Sequence, residues 1–363
     1  MKTGLFKTIA SLALISNAPL VFAGPSGAFM CSSQSPYDYV GVDASHEKMS
    51  ISSQSLGSLQ ANVGGLVTPG QSIKAKSANG IALAPALTEK GDEIGLLNNS
   101  KKISTYAGRL YDWDIHEGKD GSKAYFTTYE YDDTKPDSKV IATQRVVDQY
   151  GRTLAERNTT RTPNEETGEY YSFTQDGSGI YLIPDPMQPK NDIEVLDAST
   201  LKPKLTISLP SSLKVTGLAF RSSTDGVAIA GDRLFLIRDG KIISNNVTRS
   251  PFAAKNITID QRSNRILVNG IREFMVLDLN GTPLYQQKFG IDAPIVTNAK
   301  IAIDGSIGFI DPGTGETLVR TRASAYKAVK QVPIAKDAWA QVQCFTPESA
   351  ALVVNGDARL IKF

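Results

Sequence analysis

The sequence predicts an all-β chain closed on itself as a single β-propeller, with seven blades the count that fits best and six or eight within the same arithmetic. Three observations carry that prediction. A tight polar turn followed by a short apolar strand recurs, with marks at Asn79, Asp120, Asp176, Asp225, Asn264, Asp304 and Glu348, spaced by 41, 56, 49, 39, 40 and 44 residues. Several strands end in Asp and run straight into a second turn. Apolar residues hardly ever recur at the 3.6-residue spacing of an amphipathic helix. Four strands in about 40 to 55 residues is the period of a propeller blade. Seven such modules fit the 340 residues that follow residue 23.

Taken from the N-terminus, residues 1–23 read as a secretory signal peptide. Lys2 and Lys7 give the positive start, Thr8 to Phe22 an uncharged and mostly apolar run, and Val21-Phe22-Ala23 the small residues a signal peptidase reads. That run is 15 residues, short of the roughly 20 that span a bilayer, and no later segment is apolar enough to do so. The expectation is a periplasmic or secreted protein without a membrane span, residues 24–363 forming one propeller domain, and a monomer. The composition, 41% hydrophobic and 21% charged, is that of a globular chain. Of 39 basic residues, Lys2 and Lys7 are the only excess over the 37 acidic ones. A balanced mature chain has no general electrostatic drive toward nucleic acid, whose affinity comes largely from neutralising phosphates.

Two cysteines remain, Cys31 near one end and Cys344 near the other. In an oxidising compartment they are expected to form a disulfide. Between them the strand-like runs follow the turns in order: Ile81–Ala84, Ala124–Phe126, Ile180–Ile183, Val227–Ala230, Ile266–Val268, Ile307–Ile310 and Ala351–Val354. The second half of the unit is an apolar strand ending in Asp before a turn: Arg145–Asp148, Ile193–Asp197, Phe274–Asp278 and Gly308–Asp311. Each of these Asp residues is expected to accept backbone N–H groups of its own turn. After Glu348 only two strands remain, Ala350–Val354 and Ala358–Phe363. Propeller closure is therefore expected to draw outer strands from Tyr37–Val42 and Met49–Leu59, so that the termini share one closing blade and no sheet edge is left open.

One module resembles a known repeat. Ile180-Tyr181-Leu182-Ile183, then Ile193-Glu194-Val195-Leu196-Asp197-Ala198-Ser199-Thr200, then Leu205-Thr206-Ile207, are similar to a YVTN-type β-propeller repeat. In that family a Tyr-Val-Thr-Asn strand precedes a Val-Ile-Asp strand and a closing strand. Pro184 stands where the family has a polar turn, and the other modules keep only the Asp-turn half. The resemblance implies the fold and carries no catalytic residues, because the shared motif is architectural.

Catalytic signatures are missing: there is no GxSxG elbow, HExxH, Walker loop, GxGxxG or CxxC, and His46 and His116 are the whole supply of histidine. His46 sits in a polar run that reads as a turn. No catalytic or cofactor-binding residue is assigned. The densest acidic run is Asp112-Trp113-Asp114-Ile115-His116-Glu117-Gly118-Lys119-Asp120. Alternation places Asp112, Asp114 and His116 on one strand face, with Glu117 and Asp120 in the following loop. Asp112, Asp114, Glu117 and Asp120 are the candidate ligands for a Ca²⁺ ion, which takes six to eight oxygens. Residues Thr127–Ser138 and Thr159–Gly168 are polar and read as insertions, and Tyr129, Tyr131, Tyr170 and Tyr171 within or beside them are the candidate partner-binding residues. These features point to an exported, non-catalytic recognition scaffold for another protein or a cell-envelope component. The alternative is an exported propeller enzyme, such as a lactonase or a quinoprotein-like oxidoreductase, with a carboxylate and Ca²⁺ site at the central channel.

Overall fold

The computed structural model describes thirty-two strands between Ala28 and Phe363 and the turns that join many of them. Residues 1–27, 31–37, 43–47, 54–56, 63–65, 68–73, 76–80, 99–100, 119, 132–139, 162–169, 185–189, 232, 245–255, 261–262, 271, 291–298, 303, 312–316, 323–325, 335–339 and 355–356 lie outside the described residues. The signal-peptide, Cys31 and His46 expectations fall on these. The described chain holds no helix, and its strands form eight antiparallel sheets that follow one another along the sequence.

The first sheet is β1 (Ala28–Met30), β2 (Asp38–Val42), β3 (Lys48–Ser53) and β4 (Gly57–Asn62). The second has β5 (Leu66–Val67) and β6 (Lys74–Ala75) both paired to β7 (Ile81–Thr88), then β8 (Gly91–Asn98) and β9 (Lys101–Ala107). The third is the longest: β10 (Arg109–Gly118), β11 (Gly121–Tyr131), β12 (Val140–Asp148) and β13 (Thr153–Arg161). The fourth is β14 (Tyr170–Phe173), β15 (Gly179–Ile183), β16 (Asp192–Asp197) and β17 (Pro203–Ser208). The fifth is β18 (Val215–Phe220), β19 (Gly226–Ala230), β20 (Arg233–Arg238) and β21 (Lys241–Ser244). The sixth is β22 (Asn256–Asp260), β23 (Arg265–Asn269), β24 (Glu273–Asp278) and β25 (Pro283–Lys288). The seventh is β26 (Lys300–Ile301), β27 (Ile307–Asp311), β28 (Thr317–Thr321) and β29 (Ala328–Pro333), and the last is β30 (Ala340–Phe345), β31 (Ser349–Val354) and β32 (Asp357–Lys362).

First strands of successive sheets pack on one another, β10 on β14, β18 on β22 and β26 on β30, which sets them around a common axis. The sheets are therefore blades of a propeller, as the period predicts. Seven run from Leu66 to Lys362, and one more precedes them. From the second blade to the last, one apolar cluster fills each seam. Leu83 and Ile94 of the second blade meet Ile115 and Phe126 of the third; Ile193 and Val195 of the fourth meet Phe220 and Phe235 of the fifth. Val227 and Ile229 of the fifth meet Ile259 and Ile266 of the sixth, whose Phe274 and Val276 meet Ile307 and Phe309 of the seventh. Inner strands are thus covered on both faces, and β19 is buried at every position. This is why they read as unbroken apolar runs rather than alternating ones. At the rim β25 alternates, and β29 carries Lys330 and Pro333 on its exposed edge, which discourages edge-to-edge pairing.

The Asp-ended strands behave as predicted where their turns are described. Asp148 Oδ1 accepts the N–H of Tyr150 and of Arg152, each at 2.9 Å, and Asp278 Oδ1 accepts those of Asn280 and Thr282, each at 2.8 Å. Asp197 Oδ1 accepts the N–H of Ser199 at 2.9 Å along with the hydroxyls of Ser199 and Thr200.

Closure differs from the expectation. Tyr37–Val42 and Met49–Leu59 do not complete the last blade: their described parts, in β2 to β4, pair with one another as a separate sheet, and the last blade has three strands of its own. The ends of the ring still meet, because β1 lies against β30 and β4 against β9. Three consecutive short hairpins satisfy each other's hydrogen bonds locally, at less loop-closure cost than strands lent to a sheet some 300 residues away.

Candidate functional site

The third blade stands apart from the rest. Its strands run 10, 11, 9 and 9 residues, whereas no other strand exceeds 8. Thr127–Tyr131 and Thr159–Arg161, expected in insertions, are strand residues of β11 and β13. Across the extended part Tyr129 pairs with Ala142 and Ala142 with Thr159. Tyr129, Val140 and Ala142 form a small core of their own with Tyr111 against it, the Tyr111 and Tyr129 rings 4.4 Å apart. On the other face Ile141 is 40% exposed and Glu130 is exposed, and Leu154 lies open further along β13.

The candidate tyrosines divide accordingly. Tyr129 and Tyr171 are core residues, 6% and 3% exposed, which corrects their assignment as partner-binding anchors. Strand alternation turns Tyr129 onto the small core, and Tyr171 packs at a tilt on Tyr125 in the seam between blades three and four. Tyr131 and Tyr170 stand at the end of β11 and the start of β14.

The acidic run is likewise redistributed. Asp112 and Asp114 do share one face of β10, and both are buried, 4% and 8% exposed. Each bridges to the neighbouring blade. Asp112 accepts the Trp113 N–H on Oδ1 at 2.8 Å and the Tyr171 N–H on Oδ2 at 2.7 Å. Asp114 accepts the Ile115 N–H on Oδ1 at 2.8 Å, and the Phe173 N–H and Ser172 hydroxyl on Oδ2, both at 2.7 Å. The two carboxylates thus act as hydrogen-bonding rungs between β10 and β14, which belong to different sheets. His116 lies further along the same face, its ring 5.8 Å from Phe173 and over Gly177, where φ is +69° and a Cβ would come within 2.4 Å of the imidazole. Glu117 is a strand residue on the opposite face of β10, not a loop residue, and Asp120 is in the exposed turn to β11. The four candidate Ca²⁺ ligands are therefore not gathered, and no three His, Cys, Asp or Glu side chains converge among the described residues.

Register explains what surrounds Asp112. It pairs with Thr127, Thr127 with Gln144, and Gln144 with Arg157, a polar row across all four strands on the face toward the fourth blade. The row beside it, Asp114, Tyr125, Val146 and Ala155, leads into the apolar seam. Fully buried Tyr125 ties the rows together: its hydroxyl lies 2.9 Å from Thr127 Oγ1 and accepts from Gln144 Nε2 at 3.1 Å. Gln144 Oε1 and Arg157 Nε are buried and without a hydrogen-bond partner. Burial outweighs the two amide bonds to Asp112 and pushes its carboxyl up to about 7, with the Asp114 charge adding to the rise. The same burial lifts the Tyr125 phenol well above 10 and that of Tyr181 to about 12. Sequence reading missed Thr127, Tyr125 and Gln144 as a unit. The available signal was the alternation itself, which puts Asp112, Thr127 and Gln144 at facing positions once the two hairpins are registered.

No protein-family model matches the chain, and no curated protein matches it. Solved structures do. Sqt1 of Saccharomyces cerevisiae is 10% identical, with 96% of this chain and 100% of that one covered and a TM-score of 0.57. The Dos1 propeller is 13% identical over 94% of this chain and 93% of its own, with a TM-score of 0.55. A eukaryotic initiation factor is 9% identical over 89% and 90%, with a TM-score of 0.54. At such identities the likeness is one of fold, and the fold is a β-propeller built of repeated four-stranded sheets. Among the described residues no helix is long and apolar enough to cross a membrane.

Proposed function

We propose that the protein is an exported recognition scaffold that holds a protein or cell-envelope partner against the extended end of its third blade. The observation that carries the reading is the length of that blade: its strands run 9 to 11 residues beside blades whose strands run 2 to 8, Glu130, Ile141 and Asn158 are exposed on it, and a separate small core stiffens the extension. Rigid projections of this kind present a surface without an ordering cost on binding. Export rests on the signal-peptide pattern of residues 1–23, and the YVTN-type reading rests on β15, β16 and β17, which are the three runs that resemble the repeat, in order.

The test is site-specific photo-crosslinking in the native host, with the reactive residue at Ile141 and, as a control, at Ile243, which is 61% exposed on the fifth blade. One partner captured from position 141 and absent from 243 is the expected result. Equal labelling at both positions, or none at 141, would reject the assigned surface.

A further inference from the structure

We propose that the junction of the second and third blades is a seat for an anionic lipid bilayer, met at the end of the propeller opposite the extension of the third blade. The fourth strands of blades two to seven each carry one unpaired residue shortly after the turn that opens them: Ile103, Leu154, Lys204, Ile243, Leu284 and Val329. A bulge of this kind blunts an open sheet edge and re-aims a side chain. Five of these residues are large and apolar, between 37% and 61% exposed, and in blade four the exposed cation Lys204 takes the place. Guarding an edge therefore needs no apolar side chain at this position.

Among the described residues, the junction of blades two and three adds to that position what the others lack. The turn of the third blade rests on β9 beside Ile103. Tyr106 Oη and Ser104 Oγ donate to the Gly151 carbonyl at 3.0 and 3.4 Å, and Asn98 Nδ2 donates to that of Gln149 at 2.9 Å. Tyr150 is thereby held next to Ile103; it is 66% exposed and the one aromatic among the exposed large hydrophobics of the described residues. Lys101, Lys102 and Arg152 are exposed around them, the Arg152 guanidinium 5.5 Å from the centre of the Tyr150 ring. Residues 98–107 and 149–155 contain no acidic residue. The flanking Asp148 and Glu156 are engaged by Arg152 at 2.6 Å and Arg145 at 2.8 Å, which leaves the two lysines as the net charge of the patch.

Lysine is depleted in protein–protein interfaces, whereas exposed lysines beside an aromatic and two aliphatic side chains match the headgroup region of an anionic bilayer. The ammonium groups meet phosphate, and Ile103, Tyr150 and Leu154 meet the acyl boundary. Either contribution alone binds weakly; the two together give reversible docking. Because β12 runs from the extended end to this turn, the bilayer lies roughly 25 Å from Ile141 and leaves that end facing water. The seat does not depend on the partner surface assigned above.

The test places a tryptophan at the patch by Tyr150→Trp, with Ile243→Trp as the control position, in protein isolated from its native host. Each is mixed with vesicles of phosphatidylcholine, with or without phosphatidylglycerol, whose acyl chains carry bromine as a quencher. Quenching is expected at position 150 on the vesicles that contain phosphatidylglycerol, reversed at high ionic strength, and not at position 243. Lys101→Gln with Lys102→Gln is expected to shift the quenching titration about 30-fold, roughly fivefold for each lysine. No quenching at position 150, equal quenching at 150 and 243 or on both kinds of vesicle, or a titration unmoved by the lysine pair would each overturn the proposal. So would a photo-reactive residue at position 150 that captures one protein in the host and no lipid, which would give the patch to a protein partner.

Discussion

Asp278 and Asp112 both accept two backbone N–H groups, yet their surroundings make the same side chain behave differently. Asp278 uses one oxygen for both Asn280 and Thr282, in an exposed turn where water can replace it. Asp278→Asn retains that oxygen and is expected to be nearly neutral, while Asp278→Ala should cost about 1 kcal/mol, the net worth of such bonds, in urea unfolding. Asp112 spends its two oxygens on two different amides inside a seam. In Asp112→Asn the side-chain NH₂ must face one of those N–H groups, and the expected loss at pH 8 is about 1–3 kcal/mol. The pH dependence has a definite sign. The folded carboxyl is raised to about 7 from an ordinary value of 3.8, so between those values the folded protein holds a proton that the unfolded chain has released. Stability from this group is therefore greatest below pH 4, falls as pH rises to 7, and is level above it. Set against Asp112→Asn, which has no such step, the wild type should lose up to about 4 kcal/mol between pH 4 and pH 8, measured as the difference between their denaturant curves. An equal pH dependence in the two proteins would show that Asp112 stays ionised throughout.

Strands and turns were legible to the extent that their causes are local. The apolar runs 180–183, 227–230 and 266–268 lie in β15, β19 and β23, and Asp148, Asp197 and Asp278 cap their turns, because a turn and the strand beside it are decided within a few residues. Parts of the long blade, Thr127–Tyr131 and Thr159–Arg161, were read as insertions for a physical reason. Its seam with the fourth blade carries a polar row beside the apolar one, so Asp112, Thr127 and Gln144 look like surface residues in sequence although all are buried. Burial of Tyr129 and Tyr171 was hidden by the same misreading. Replacing residues 132–139 by a short Gly-Ser turn should therefore leave the circular dichroism spectrum and Tm unchanged, whereas a deletion begun at Thr127 removes five strand residues and should yield no soluble protein. Seams between blades set a second element-scale constraint. At Gly308 a Cβ would sit 2.1 Å from the Phe345 ring of the last blade. Gly308→Ala is expected to cost about 1–3 kcal/mol through overpacking, and Gly308→Ala with Phe345→Leu to recover part of it, the coupling being read from a double-mutant cycle.

Ring closure is decided at the scale of the whole chain, where no window of sequence contains both partners. The four-strand period and the need to avoid open edges pointed to a blade shared by the two ends, but the N-terminal strands can satisfy one another first, and they do so as β1 to β4. What survives of the closure argument is the meeting of the ends: β1, whose last residue is Met30, lies against β30, the strand that carries Cys344, and Cys31 is the next residue in the chain. We propose on this basis that the exported protein carries a Cys31–Cys344 bond as a clasp on the ring. With 313 positions between the two cysteines, the chain-entropy account gives such a bond roughly 6 kcal/mol at most, acting mainly on the unfolded state. Reduction should accordingly lower Tm and steepen thermal inactivation while leaving the blade spectrum unchanged at 25 °C, because no strand is lost. Alkylation of the denatured, unreduced protein followed by intact-mass measurement decides the point: no added label is expected, and a mass gain of two labels would mean that the ends meet by packing alone.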